Sequence, residues 1–139
     1  MFGGTAFAFF AGLHYWFPKI FGRMYSEKRA KLGWVFLFTG FNALYFPMFV
    51  LGWQGMPRRY YDYLPEFHSL NLLSTLGSWV LALGLILLFA NLVRSIKRGE
   101  PAGGNPWKAT TLEWTVPSPP PVENFEKIPV VTHGPYKYE

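Results

Sequence analysis

Residues 67–93 read FHSLNLLSTLGSWVLALGLILLFANLV, a run of 27 positions without a charged side chain. A helix needs about 20 apolar residues to cross the roughly 30 Å hydrocarbon core of a bilayer, so this run is long enough to span it. In lipid the backbone polar groups must be satisfied within the segment, which favours a helix over a lone strand. Helices of soluble proteins average about 11–12 residues, so a buried helix of a soluble domain is the poorer interpretation.

Two other apolar stretches precede this one. Residues 32–57, LGWVFLFTGFNALYFPMFVLGWQGMP, are also uncharged. Residues 1–18, MFGGTAFAFFAGLHYWFP, could be a signal peptide, but nothing basic precedes their apolar part and no small-residue cleavage site leads into polar sequence. Their aromatic end is typical of a membrane interface, and the abrupt start is typical of the second half of a helix. The pattern predicts an all-α membrane protein with transmembrane helices at about residues 1–18, 29–52 and 68–96.

The composition supports this class. Half of the 139 residues are hydrophobic and only 15% are charged, whereas soluble domains carry about 25% charged residues. The net charge of +5 lacks the basic stripe of a nucleic-acid-binding surface, so we expect no nucleic-acid partner. The chain has no cysteine, which excludes disulfides and thiolate metal sites.

The distribution of basic residues predicts the orientation in the membrane. The loop between the first two stretches holds one acid, Glu27, and five basic residues: Lys19, Arg23, Lys28, Arg29 and Lys31. Three further basic residues follow the third stretch. Cytoplasmic loops of membrane proteins carry an excess of Lys and Arg. We therefore expect this first loop and the C-terminal tail to be cytoplasmic, and the GMPRRY sequence to lie on the outer side.

The tail, residues 99–139, contains eight of the twelve prolines. Proline at this density prevents regular helix and strand, and PSPPP favours extended polyproline II backbone. A disordered tail is one interpretation. The interspersed apolar residues, among them Trp107 and Trp114, favour a tail that lies along another surface.

Polar residues within the apolar stretches are best explained by helix packing. Small and weakly polar side chains mark helix–helix contacts in membranes, and those of the third stretch are Asn71, Ser74, Thr75, Gly77, Ser78 and Gly84. The three histidines, His14, His68 and His133, fall in different regions without the spacing of a metal site. No catalytic triad or phosphate-binding glycine loop is visible, so we predict no catalytic residue and no metal ligand.

Arg58 and Arg59 stand at the edge of this apolar sequence. They could face lipid phosphates, but positive charge is disfavoured on the outer side and adjacent cations repel one another. The planar guanidinium group is suited to paired hydrogen bonds with carboxylates. The residues alone therefore predict fixed anions, such as two or more carboxylates, beside this pair.

Five blocks in order resemble the end of subunit I of the haem–copper cytochrome c oxidases, with the bacterial aa3-type enzymes most similar. The blocks are YWFPKIFGRMY, FTGFNALYFPMFVLGWQGMPRR, GMPRRYYDY, KRGEPAGGNPW and ATTLEWTVPSPPPVENF. The family subunit has twelve transmembrane helices. The resemblance implies that this chain holds the end of the tenth, the eleventh and twelfth, and the cytoplasmic tail.

The resemblance also implies a site. Arg58 and Arg59 match the family's arginines that bind the propionates of haem a and haem a3, and the Tyr61 carbonyl matches a weak calcium or sodium position. The ligands of the haem irons and of copper lie upstream in the family, so this chain is expected to supply none. Phe49 stands where relatives often have histidine, which is a departure from the family pattern.

The function implied by the resemblance is that of a segment of a proton-pumping cytochrome c oxidase, inactive by itself, in the cell inner membrane. The implied partners are the rest of subunit I, oxidase subunits II and III, membrane lipid and cytochrome c as electron donor. A non-catalytic accessory or assembly protein, or a remnant derived from subunit I, is the alternative.

Overall fold

The computed structural model describes residues 2–125, 128–132 and 134–135. Within these residues the chain is helical and has no strand; a single isolated bridge joins Arg23 and Pro101. The three long helices are α1 (Phe2–Phe21), α2 (Glu27–Trp53) and α3 (His68–Arg98), and two short 3₁₀ helices cover Pro65–Phe67 and Leu112–Trp114. The all-helical class is confirmed. Two of the described helices, α2 and α3, are long and apolar enough to cross a membrane, and the count of three spans stays a prediction.

The chain divides into two compact units. One comprises residues 27–91 and contains α2 and most of α3; the other comprises residues 1–26 and 92–139.

In the unit of residues 27–91, glycines bring the backbones of α2 and α3 together. A Cβ atom added to Gly77 would lie 2.5 Å from the carbonyl carbon of Ala43, and one added to Gly40 would collide with the backbone of Leu81. Each glycine has a second one seven residues away on its own helix, Gly84 and Gly33, which also lies against the opposite helix. A spacing of seven keeps residues on one helix face, so the four glycines form a continuous line of contact.

Hydrogen bonding and leucine packing complete this contact. The Ser74 hydroxyl on α3 donates to the Leu44 carbonyl on α2 at 3.1 Å. Pro47 lacks the N–H group that would bond the Ala43 carbonyl one turn earlier, and that carbonyl faces Gly77. Leu37 and Leu88 are almost completely buried. The helices are therefore joined both by backbone approach and by side chains.

The outer faces of this unit are apolar. Large exposed side chains on α2 and α3 include Trp34, Phe46, Phe49, Trp53, Trp79 and Ile86. Soluble monomers rarely expose contiguous apolar area of this extent. Such faces require lipid or further helices as their environment.

In the other unit, a buried lysine joins α1 to the tail. The Lys19 ammonium donates to the carbonyls of Val116 at 2.7 Å, Gly104 at 3.0 Å and Pro117 at 3.5 Å. It also lies 4.9 Å from the centre of the Trp114 ring. Burial lowers the pKa of Lys19 below the usual lysine value, and the Glu113 carboxylate acts in the opposite direction.

Tyr15 makes the second set of contacts with the tail. The Trp107 indole donates to the Tyr15 backbone carbonyl at 2.9 Å, and the Trp114 indole donates to the Tyr15 hydroxyl at 2.8 Å. Arg23, beyond α1, donates to the Gly99 carbonyl at 2.8 Å. Residues 99–117 thus lie along the end of α1, which agrees with the interpretation of a tail that lies on another surface.

Residues 126, 127, 133 and 136–139 of the predicted tail lie outside the described residues, and the cytoplasmic location of the tail stays a prediction.

We expect Gly77→Ala to destabilise the α2–α3 contact. The added methyl group forces the helices apart, and overpacking of this kind typically costs about 1–3 kcal/mol. The measurement is the amount of assembled protein that survives a series of heating steps in mild detergent. The control is Gly52→Ala, because a Cβ there meets nothing within 4 Å. Equal survival of the two variants would contradict the close-contact interpretation.

We expect Lys19→Met to release the segment 104–117 from α1. The substitution keeps most of the side-chain length but removes a charged donor from three backbone carbonyls, a loss of about 1–3 kcal/mol. Trypsin cleavage after Lys108, an exposed residue in this segment, should become about tenfold faster, because local opening controls proteolysis. Mass spectrometry of the detergent-solubilised protein measures this rate.

The control for this experiment is Lys31→Met. Lys31 forms an exposed ion pair with Glu27 at 2.9 Å, which should contribute little. An unchanged cleavage rate after Lys108 in the Lys19 variant would show that the ammonium does not hold the segment.

Candidate functional site

The candidate site lies in the arginine loop, residues 54–64, between α2 and the 3₁₀ helix that precedes α3. The end of α2 is closed by Gly55, whose φ of 88° lies in the left-handed region. The Met56 N–H donates back to the Leu51 carbonyl at 3.0 Å, the bond expected of a glycine-terminated helix end. Pro57 then prevents the helix from continuing. Arg58 and Arg59 consequently lie just beyond the end of α2.

Arg59 has an unusual backbone conformation. Its φ of 57° is left-handed, which costs a residue with a Cβ atom roughly 1–2 kcal/mol. Such conformations persist only where neighbouring contacts impose them, and they concentrate at functional sites. The loop therefore needs anchors that hold this residue.

The two arginines line a cavity of about 370 Å³. Its wall includes the apolar side chains of Met48, Leu51 and Met56. Both arginines are exposed, and neither guanidinium forms a hydrogen bond or ion pair with any part of the chain that the structure describes. An apolar cavity with two available cations at its edge is suited to a ligand that is largely apolar and carries carboxylates.

Acidic side chains near the arginines in the sequence do not neutralise them. Asp62 instead accepts a hydrogen bond from the N–H of the next residue, Tyr63, at 2.8 Å. The pairing of the arginines with anions stays a prediction, and the described acidic side chains do not supply it.

The remaining predicted positions show no assembled metal site. Among residues 2–125, 128–132 and 134–135, no group of three or more His, Cys, Asp or Glu could hold a metal ion. The Tyr61 side chain is fully exposed, and a cation at its carbonyl stays a prediction. Phe49 is 70% exposed on α2, so its side chain is available to an outside surface.

The histidines bond to nearby groups in their own units. His14 Nδ1 lies 2.8 Å from the Phe10 carbonyl oxygen, and its ring packs edge-on against Tyr25. His68 Nδ1 lies 3.4 Å from the Tyr63 hydroxyl. His133 lies outside the described residues.

The structural roles of two residues were not predicted from the sequence. Asn71, interpreted as a packing residue, lines the cavity together with the arginines. Lys19, interpreted as one charge among several in a loop, is almost completely buried against backbone carbonyls. The one signal in the sequence for Asn71 was its position near the start of α3, four residues after Phe67. Nothing in the sequence indicated the role of Lys19.

Together, the long apolar helices and the arginine-lined cavity beside them define the class as a helical membrane protein. The family model described as cytochrome c and quinol oxidase polypeptide I matches residues 1–80. This chain belongs to that family of haem–copper oxidase subunits.

Relatives extend the similarity over nearly the whole chain. Cytochrome c oxidase subunit 1 of Synechocystis sp. is 48% identical over 99% of this chain, and that of Thermostichus vulcanus is 46% identical over 99%. The haem–copper oxidase subunit I+III of Aeropyrum pernix is 42% identical over 93% of this chain and 16% of its own length. The chain spans about a quarter of the length of the first two relatives, 25% in each case.

Proposed function

We propose that this chain forms the C-terminal segment of subunit I of a proton-pumping cytochrome c oxidase, in which Arg58 and Arg59 bind the propionates of haem a and haem a3. The observation that carries the proposal is the pair of exposed guanidinium groups at the edge of an apolar cavity, without a partner among the described residues. Family membership supplies the ligand class, because the relatives are named as haem–copper and cytochrome c oxidases.

The residues of this chain fit a haem edge. Each propionate is a carboxylate, and each guanidinium can donate two parallel hydrogen bonds to it. Met48, Leu51 and Met56 offer apolar surface beside those charges. When bound, the haems supply electron transfer and oxygen reduction, and the iron and copper ligands come from other parts of the enzyme.

The contribution of the arginines is electrostatic. Reduction adds an electron, so a fixed positive charge nearby stabilises the reduced form and raises the midpoint potential. A second effect is orientation, because two adjacent bidentate donors limit rotation of the carboxylates that they bind.

The membrane arrangement is part of the same proposal. We infer that α1, α2 and α3 all span the cell inner membrane. The first loop and the tail then lie on the cytoplasmic side, and the arginine loop lies on the outer side. The exposed apolar faces of α2 and α3 support contact with lipid and with the rest of subunit I. Subunits II and III and the donor cytochrome c complete the proposed assembly.

Purification of the protein that contains this chain tests the assembly. In mild detergent we expect it to carry haem, seen in the reduced-minus-oxidised spectrum, together with the other oxidase subunits. The physical reason is that the apolar faces and the arginine pair both need partners. A preparation without haem and without a large partner would instead favour the accessory or assembly protein.

We expect Arg58→Ala and Arg59→Ala to lower the midpoint potentials of the haems by an amount on the order of tens of mV, because each removes one nearby positive charge. Potentiometric titration of the purified oxidase measures this shift. Arg29→Ala is the matched control, since Arg29 is an exposed arginine at the start of α2. Potentials that remain unchanged in both arginine-loop variants would refute the propionate assignment.

A further inference from the structure

We propose that Asn71 is a positioning residue for the arginine pair: its side-chain amide joins Met56 to Tyr60 and so holds Arg58 and Arg59 at the cavity. For the ligand's identity this inference rests on the proposed function. For the anchoring itself it rests only on contacts within the unit of residues 27–91.

A single side chain contacts both flanks of the arginine pair. Asn71 Nδ2 lies 3.5 Å from the Met56 sulfur, and Asn71 Oδ1 accepts a hydrogen bond from the Tyr60 hydroxyl at 3.5 Å. Met56 precedes the Pro57–Arg59 segment, and Tyr60 follows it. The loop is thus attached to α3 immediately before and immediately after the two cations.

The amide is itself held in place. Asn71 Nδ2 also donates to the Phe67 carbonyl one helical turn earlier, at 2.9 Å. This bond restrains the orientation of the side chain, because it uses one N–H while the other remains available to Met56. Asn71 therefore presents its donor and its acceptor to the loop from a rigid helix.

The backbone of Arg59 explains why an anchor is needed. A left-handed φ of 57° is unfavourable for arginine, and neither arginine side chain bonds to the described residues. The restraint must come from adjacent residues of the loop. The Tyr60 ring packs edge-on against Tyr63, with the ring centres 5.8 Å apart, which supports the loop after the arginines. Among the described residues, only Asn71 contacts the loop both before and after the arginine pair.

The choice of a neutral amide follows from the cavity. Asn71 lines the same cavity as the two arginines. An aspartate there would place a carboxylate beside the cations and compete with an anionic ligand for them. A leucine would fill similar volume but could bind neither Met56 nor Tyr60 through hydrogen bonds.

The test compares Asn71→Leu with wild type in the purified oxidase that contains this chain. Amide hydrogen exchange at Met56 and Tyr63, whose N–H groups are the hydrogen-bonded ones among the described residues 56–63, should become about tenfold faster when measured by mass spectrometry. The haem midpoint potentials should fall in the same direction as in Arg59→Ala, by a smaller amount. Thr75→Val is the matched control, because among the described residues the Thr75 hydroxyl bonds only the Asn71 backbone carbonyl within its own helix, at 3.0 Å.

A second variant separates positioning from a general effect on α3. Tyr60→Phe removes the hydroxyl that Asn71 accepts from, so it should reproduce part of the exchange increase, and adding it to Asn71→Leu should cause little further change. If Asn71→Leu fails to assemble, Tyr60→Phe alone carries the exchange and potential measurements.

Each outcome has a distinct meaning. Unchanged loop exchange in Asn71→Leu, or in Tyr60→Phe where only that variant assembles, overturns the anchoring. Faster exchange with unchanged haem potentials, while Arg59→Ala lowers them, overturns the positioning role but leaves the proposed function intact. Unchanged potentials in the arginine variants as well would count against the proposed function, and the exchange data would still decide whether Asn71 holds the loop.

Discussion

Backbone contact between α2 and α3 is the constraint on which the site depends. Four glycines remove the side chains that would separate these helices, and the Ser74 hydroxyl bonds across the contact. The arginine loop joins the two helices, so their separation sets the distance that the loop must bridge. A wider contact would move Asn71 on α3 away from Met56 at the end of α2, and the cavity wall would open. Packing far from any charge thus determines where the charges are held.

The site combines charge with apolar surface in an order that suits a membrane cofactor. Leu51 and Met48 come from the last turns of α2, while the arginines follow directly beyond its end. The apolar part of a ligand can therefore remain at the level of the helices while its acidic groups reach the loop. Adjacent arginines that have no partner among the described residues would repel one another without such a ligand, which is why we expect the chain to function only within a larger assembly.

Much of this arrangement can be predicted from sequence, for identifiable reasons. Uncharged runs of 26 and 27 residues leave little alternative to the long helices α2 and α3, and an arginine pair beside them is conspicuous because charge is otherwise scarce. Asn71 could not be distinguished from Ser74 or Thr75, since all are small polar residues on one helix and only the fold of the loop separates their roles. Lys19 escaped notice because its partners are carbonyls 85 to 98 residues away, and a backbone carbonyl has no signature in the sequence.

The contact between Lys19 and the tail also has a consequence for the order of synthesis. Lys19 is translated before the carbonyls of Val116 and Pro117, which lie 97 and 98 residues later in the sequence. Until those residues have been translated, the ammonium lacks both acceptors and must stay hydrated or use lipid headgroups. A Lys19 ammonium buried against these carbonyls therefore marks a molecule whose synthesis has proceeded past residue 117.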